Sequence, residues 1–98
     1  MQPLRQGDVL LKPVSKTVTG AKLPHLTLAE GEVTGHRHRI TQGEAELYEH
    51  KGTLFLKVLS STALLTHEEH QSIAIPQGDW MVRIQREYEP EGWRYVAD

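Results

Sequence analysis

His36 and His38 stand one residue apart in Gly31-Glu32-Val33-Thr34-Gly35-His36-Arg37-His38, and His67 and His70 bracket the acidic pair of Thr66-His67-Glu68-Glu69-His70. Four of the six histidines in the chain thus fall in two tight groups, each with carboxylates beside it. Side chains alternate along an extended segment, so His36 and His38 point the same way. A four-residue turn brings its first and last Cα within about 7 Å, so His67 and His70 can converge too. Imidazoles brought together in this way begin either a metal site or an acid–base pair.

The metal reading takes His36, His38, His67 and His70 as ligands of a divalent ion (zinc, manganese, nickel or iron), with a position left open for substrate. Glu32 or Glu68 would activate water, Arg86 would hold an anionic substrate or the developing oxyanion, and Tyr88 would be a further donor. The implied activity is a hydrolase acting on a small ester or phosphoester. A second reading needs no metal: the same histidines serve as acid and base in an endoribonuclease, with Arg86, Arg37 or Arg39 stabilising the charged phosphorus centre. RNA would then be the partner. The third reading is a non-catalytic binding or assembly module whose histidines sit in polar turns and whose Arg86 forms a structural ion pair.

Size and composition bound these readings. Ninety-eight residues form one domain with a modest core, taken here as 1–98. The formal charge of −2 gives no overall basic field for nucleic acid or acidic membrane. Without cysteine there is neither a disulfide nor a thiolate metal site. Met1–Gln6 does not read as a secretion signal, and no apolar run reaches membrane-spanning length, so a cytoplasmic protein with no membrane partner is expected.

The elements that must position the histidines read as short strands. Period-two patterning predicts strands near 8–14, 26–30, 35–41, 45–50, 53–59, 62–66, 71–75, 80–89 and 93–97, with turns at Lys51-Gly52 and Pro76-Gln77-Gly78-Asp79. No helical stripe is present. The expected fold class is all-β, a small barrel or β-sandwich of about eight to nine short strands. Trp80, Val82, Ile84, Leu54, Leu56, Ile73 and Ile75 form the expected core, and 15–25 reads as a surface loop. Exposed edge strands leave a homodimer open.

Gly31, His36, His38 and Glu44 resemble the first motif of the cupin family, and Ile75-Pro76-Gln77-Gly78 resembles the Pro-x-Gly turn of its second. That resemblance implies metal chemistry for His36, His38 and Glu44. The whole chain also resembles a group of small bacterial and phage proteins that share Arg5-Gln6-Gly7-Asp8-Val9, Gly31–His36, His67–His70 and Gln85–Tyr88. No activity is implied by that second likeness.

Overall fold

The computed structural model describes residues 2–16, 19–31, 33–89 and 92–95, and for 86–89 and 92–95 the backbone alone. The strands are β1 (Leu4–Gln6), β2 (Val9–Pro13), β3 (Ala21–Lys22), β4 (Thr27–Glu30), β5 (Arg37–Gln42), β6 (Ala45–His50), β7 (Thr53–Thr66), β8 (Ile73–Ile84), β9 (Arg86–Glu89) and β10 (Gly92–Tyr95). No helix occurs among the described residues, and none is therefore long and apolar enough to cross a membrane. One antiparallel sheet runs β1-β2-β8-β7-β5-β4, with β6 on β7 and β3 on β6; β9 and β10 form a separate hairpin. The sheet folds over its own apolar face in the manner of a sandwich. It does not close into a cupin-like barrel.

The long strand β7 organises the sheet. Its first part, Thr53–Val58, pairs with β6, and its last part, Leu64–Thr66, pairs with β5. Both parts pair with β8, but the register slips between Val58 and Thr62. The sequence expectation of separate strands at 53–59 and 62–66, and at 71–75 and 80–89, is corrected here. The first pair is one bent strand, β7; in the second, β8 joins 73–75 to 80–84 through Pro76-Gln77-Gly78-Asp79, which forms no turn, while 86–89 is the separate strand β9. Proline lacks an N–H and is tolerated where a ladder is already interrupted. Side chains take over the backbone groups left at the slip. Gln77 Nε2 donates to Leu59 O at 2.6 Å, and Ser60 Oγ donates to Thr62 O at 2.6 Å and accepts from Glu44 N at 2.8 Å. The stretch 15–25, expected as a loop, holds β3 paired with β6. The Lys51-Gly52 turn is as expected: both residues have positive φ, 50° and 80°, as a two-residue hairpin of mirror-image type requires.

The core gathers on the concave side. Val9, Leu11, Leu47, Leu56, Leu65, Ile75 and Trp80 are fully buried, with Val82 close behind, and Leu54, Ile73 and Ile84 pack half-buried around them. Trp80 satisfies its indole N–H on Pro76 O at 3.0 Å, so the bend in β8 and the largest core side chain support each other. At one end of this core the burial becomes polar: Gln6, Asp8, His38 and His67 are the buried polar side chains among the described residues. Trp80→Ala should cost about 3–5 kcal/mol through the cavity it leaves. Urea unfolding followed by circular dichroism measures this, and a loss below about 1 kcal/mol would contradict this account of the core.

Candidate functional site

The strand β5 carries His38 inward. His38 is 1% exposed and shares its face with buried Ile40, whereas Arg37 and Arg39 are exposed. His36 precedes the strand on the same parity, at the rim, with a quarter of its side chain accessible. After β7 the chain turns at 67–70, and the His67 side chain shapes that turn. Its Nδ1 accepts from Glu69 N at 3.0 Å and from His70 N at 3.3 Å, as a capping side chain does. The turn is tied to the start of β5 by Glu68, whose Oε1 accepts from Arg37 N at 2.9 Å.

The two histidine groups meet. The His67 ring lies 4.2 Å from His38, 4.6 Å from His70 and 5.5 Å from His36, measured between centroids, and His38 and His70 stack at 5.9 Å. His67 is thus the hub of four imidazoles. Carboxylates stand at both ends of the group. Glu69 Oε1 is 3.2 Å from His36 Nδ1 at the rim, and Asp8 Oδ1 is 3.4 Å from His38 Nε2 in the interior.

Hydrogen bonding assigns the protons. Gln6 Nε2 donates to Leu65 O at 2.9 Å and to Gln71 O at 3.0 Å, which fixes the carboxamide so that Oε1 faces His38 Nδ1 at 2.9 Å. A carboxamide oxygen only accepts, so His38 carries its proton on Nδ1 and directs Nε2 towards Asp8. His67 is the reverse, because its Nδ1 accepts two N–H groups and its neutral ring must carry the proton on Nε2. Neighbouring rings therefore use Nδ1 in opposite senses, as donor in His38 and as acceptor in His67.

Gln6 and Asp8 reach the cluster through the β1–β2 hairpin, in which Gln6 pairs with Val9. Gly7 has φ +59°, the conformation the first central residue of a type II′ turn adopts. A Cβ there would lie 2.6 Å from His70 Nε2 and 3.2 Å from His38 Cε1, so only glycine lets the turn sit against the imidazoles. Sequence reasoning missed Gln6 and Asp8 as site residues. The available signal was a polar Gln-Gly-Asp turn between apolar Leu4 and Val9.

The other expected residues are Glu68, Glu44, Glu32, Arg86 and Tyr88. Glu68 is exposed and occupied with the backbone. Glu44 is exposed in the β5–β6 turn, where its backbone bonds Ser60, so the cupin-like set is not assembled. Glu32 lies outside the described residues, and Arg86 and Tyr88 are on β9, whose side chains are not described. Among the described residues no group of three or more His, Asp or Glu side chains is arranged to hold a metal ion. The donor set agrees, since a neutral imidazole whose Nδ1 accepts hydrogen bonds has a proton, not a lone pair, on Nε2. His67 as it stands does not fit a ligand's role.

Residues 5–85 match the profile of a family described as a domain of unknown function (DUF8820). The chain belongs to this family. The matched span holds the whole cluster from Gln6 to His70 and stops just before Arg86. No curated protein and no solved structure matches the chain.

Two measurements check this geometry. Gln6→Leu leaves two carbonyls and an imidazole N–H without their partner, so a loss of at least about 1–3 kcal/mol is expected. Nitrogen NMR of the wild type should find a proton on Nδ1 of His38 and on Nε2 but not Nδ1 of His67, and the reverse pair would refute the assignment. The Arg37 N–H, then its own N–H, and the nearby His36 and His67 hold the Glu68 carboxyl below its ordinary value of 4.5. A depressed carboxylate stabilises the fold above its unfolded pKa, and that contribution is lost as pH falls through the lower folded value. Glu68→Gln should flatten this acid limb of the stability–pH curve.

Proposed function

We propose that the protein is a hydrolase that cleaves a small ester or phosphoester by imidazole acid–base chemistry. One observation carries the reading: His67, locked by two backbone N–H groups, lies in ring contact with His36, His38 and His70. A structural polar turn needs one satisfied histidine. It does not need four in contact, with a carboxylate at each end.

The roles follow from exposure. His36 and His70 are the accessible members and would touch substrate. The Glu69 carboxylate, 3.2 Å from His36 Nδ1, favours a proton on that nitrogen and leaves Nε2 to take one from the attacking hydroxyl. That hydroxyl is water, or the 2′-hydroxyl when the substrate is RNA. As the new P–O or C–O bond forms, the leaving oxygen departs with the bonding pair and takes a proton from His70. Solvent, which reaches both rings, returns the proton from His36 to His70 before the next turnover, and His67 holds the turn that places His70. His38, Gln6 and Asp8 are too deeply buried to meet substrate, so they are positioning residues that set the polarity around His67. The metal-assisted form of the hydrolase gains less support, because the His67 tautomer opposes it.

Untagged protein assayed on p-nitrophenyl acetate, bis(p-nitrophenyl) phosphate and a fluorescent RNA oligonucleotide tests the proposal. Turnover on at least one should survive chelator, and His36→Ala and His70→Ala should each lower kcat by about 10²–10⁴-fold. Glu69→Gln should lower kcat less and shift the pH profile. No turnover on any of the three, or turnover unchanged in the double alanine variant, overturns it. Activity lost to chelator and restored by zinc or manganese overturns the metal-free form.

A further inference from the structure

The convex face of the sheet, away from the core and the imidazoles, carries an unbroken cross-strand row. Lys12 is opposite Met81, Met81 opposite Phe55, Phe55 opposite Tyr48 and Tyr48 opposite Lys22. The adjacent residues Leu11, Val82, Leu56 and Leu47 are buried, so alternation turns this row outward. Two half-buried aromatic rings thus lie side by side with a lysine at either end. Arg5, Leu10 and Arg83 flank the row on one side, and Asp79, Lys57 and Glu46 flank it on the other. The face therefore presents five basic side chains (Arg5, Lys12, Lys22, Lys57, Arg83) against two acidic ones, on a chain whose formal charge is −2.

The Tyr48 ring is held in place. Glu46 accepts from Tyr48 OH at 2.7 Å and from Lys22 Nζ at 2.9 Å, which fixes the tyrosine and the lysine relative to each other. Both contacts hold Glu46 below its ordinary carboxylate value, with the tyrosine contribution the larger. Beside Phe55 opens a cleft of about 510 Å³, walled by Pro13, Val14, Lys16 and His50. An apolar ring at the floor and cations at the edge suit a planar, uncharged ring attached to a phosphate.

We propose that this face binds single-stranded nucleic acid, with bases stacked on Phe55 and Tyr48 and phosphates on Lys12, Lys22, Lys57 and Arg83. Paired bases hide their faces within the duplex, so a stacking row selects single strands. The proposal rests on the convex sheet face, not on the imidazole cluster. Binding is read without turnover, so either can fail without the other.

Fluorescence anisotropy with labelled 12-nucleotide oligo-dT and oligo-U, and with a matched duplex, tests it. Single strands should bind more tightly than duplex. The slope of log K against log salt should be near −3, roughly −0.7 for each of four phosphate contacts. Phe55→Leu and Tyr48→Leu, which keep apolar bulk, should each weaken binding by about tenfold, and Tyr48→Phe should not. Arg83→Glu should weaken binding and flatten the slope. Arg39→Glu, an equal charge change on the other half of the sheet, should leave binding unaltered. Circular dichroism on each variant confirms that it folds. Absent binding at low salt, duplex bound as well as single strands, or equal losses from Arg39→Glu and Arg83→Glu would overturn the proposal. So would a dimer in light scattering that Phe55→Leu dissolves while oligonucleotides do not bind.

Discussion

The carboxamide of Gln6 is the constraint on which the rest of the site depends. Its two N–H donors grip carbonyls at the end of β7 and just beyond the 67–70 turn, and its oxygen accepts from His38. Three parts of the chain distant in sequence are thereby held at one point: the first hairpin, β5, and the segment after β7. A buried amide satisfied at three positions has one orientation, and that orientation dictates which nitrogen of His38 carries the proton. Leaving any of these partners unmet in the interior is costly, so the network both requires and enforces the close approach of the β1–β2 hairpin.

That approach explains the spacing of the cluster. Gly7 has no Cβ, so the hairpin backbone can lie against His70 and His38, and the next residue, Asp8, delivers its carboxylate to the far side of His38. The turn after β7 is organised from within by His67 and tied to β5 by Glu68. His38 and His67, the two buried imidazoles, are oriented by groups that are themselves fixed to or part of the backbone. Rings held in this way are preorganised for proton transfer at the end of a small apolar core.

The two faces of the sheet have different chemistry because the bent strands β7 and β8 serve both. Inward they supply Leu56, Leu65, Ile75 and Trp80 to the core; outward they supply Phe55, Lys57, Met81 and Arg83. The slip at Val58–Thr62 lets one strand pair with β6 along its first part and β5 along its last. The aromatic row and the histidine cluster therefore lie on opposite faces of one sheet.

Much of this was legible in the residues themselves. Period-two patterning determined an all-β chain, parity placed His38 and Ile40 inward with Arg37 and Arg39 outward, and turn geometry brought His67 towards His70. These are local rules, and they held because burial of one face enforces them. Three things were decided only by tertiary structure. Pro76-Gln77-Gly78 is a bend inside a strand, because the partner strand slips there and side chains satisfy its backbone. Gln6 and Asp8 join the histidines, because an antiparallel hairpin folds against residues about 60 positions away. Nδ1 donates in His38 and accepts in His67, because each faces a different kind of group, a carboxamide oxygen for one and backbone N–H for the other. Residue type and spacing bring imidazoles together. Only the three-dimensional arrangement of donors and acceptors decides which nitrogen gives a proton and which takes one.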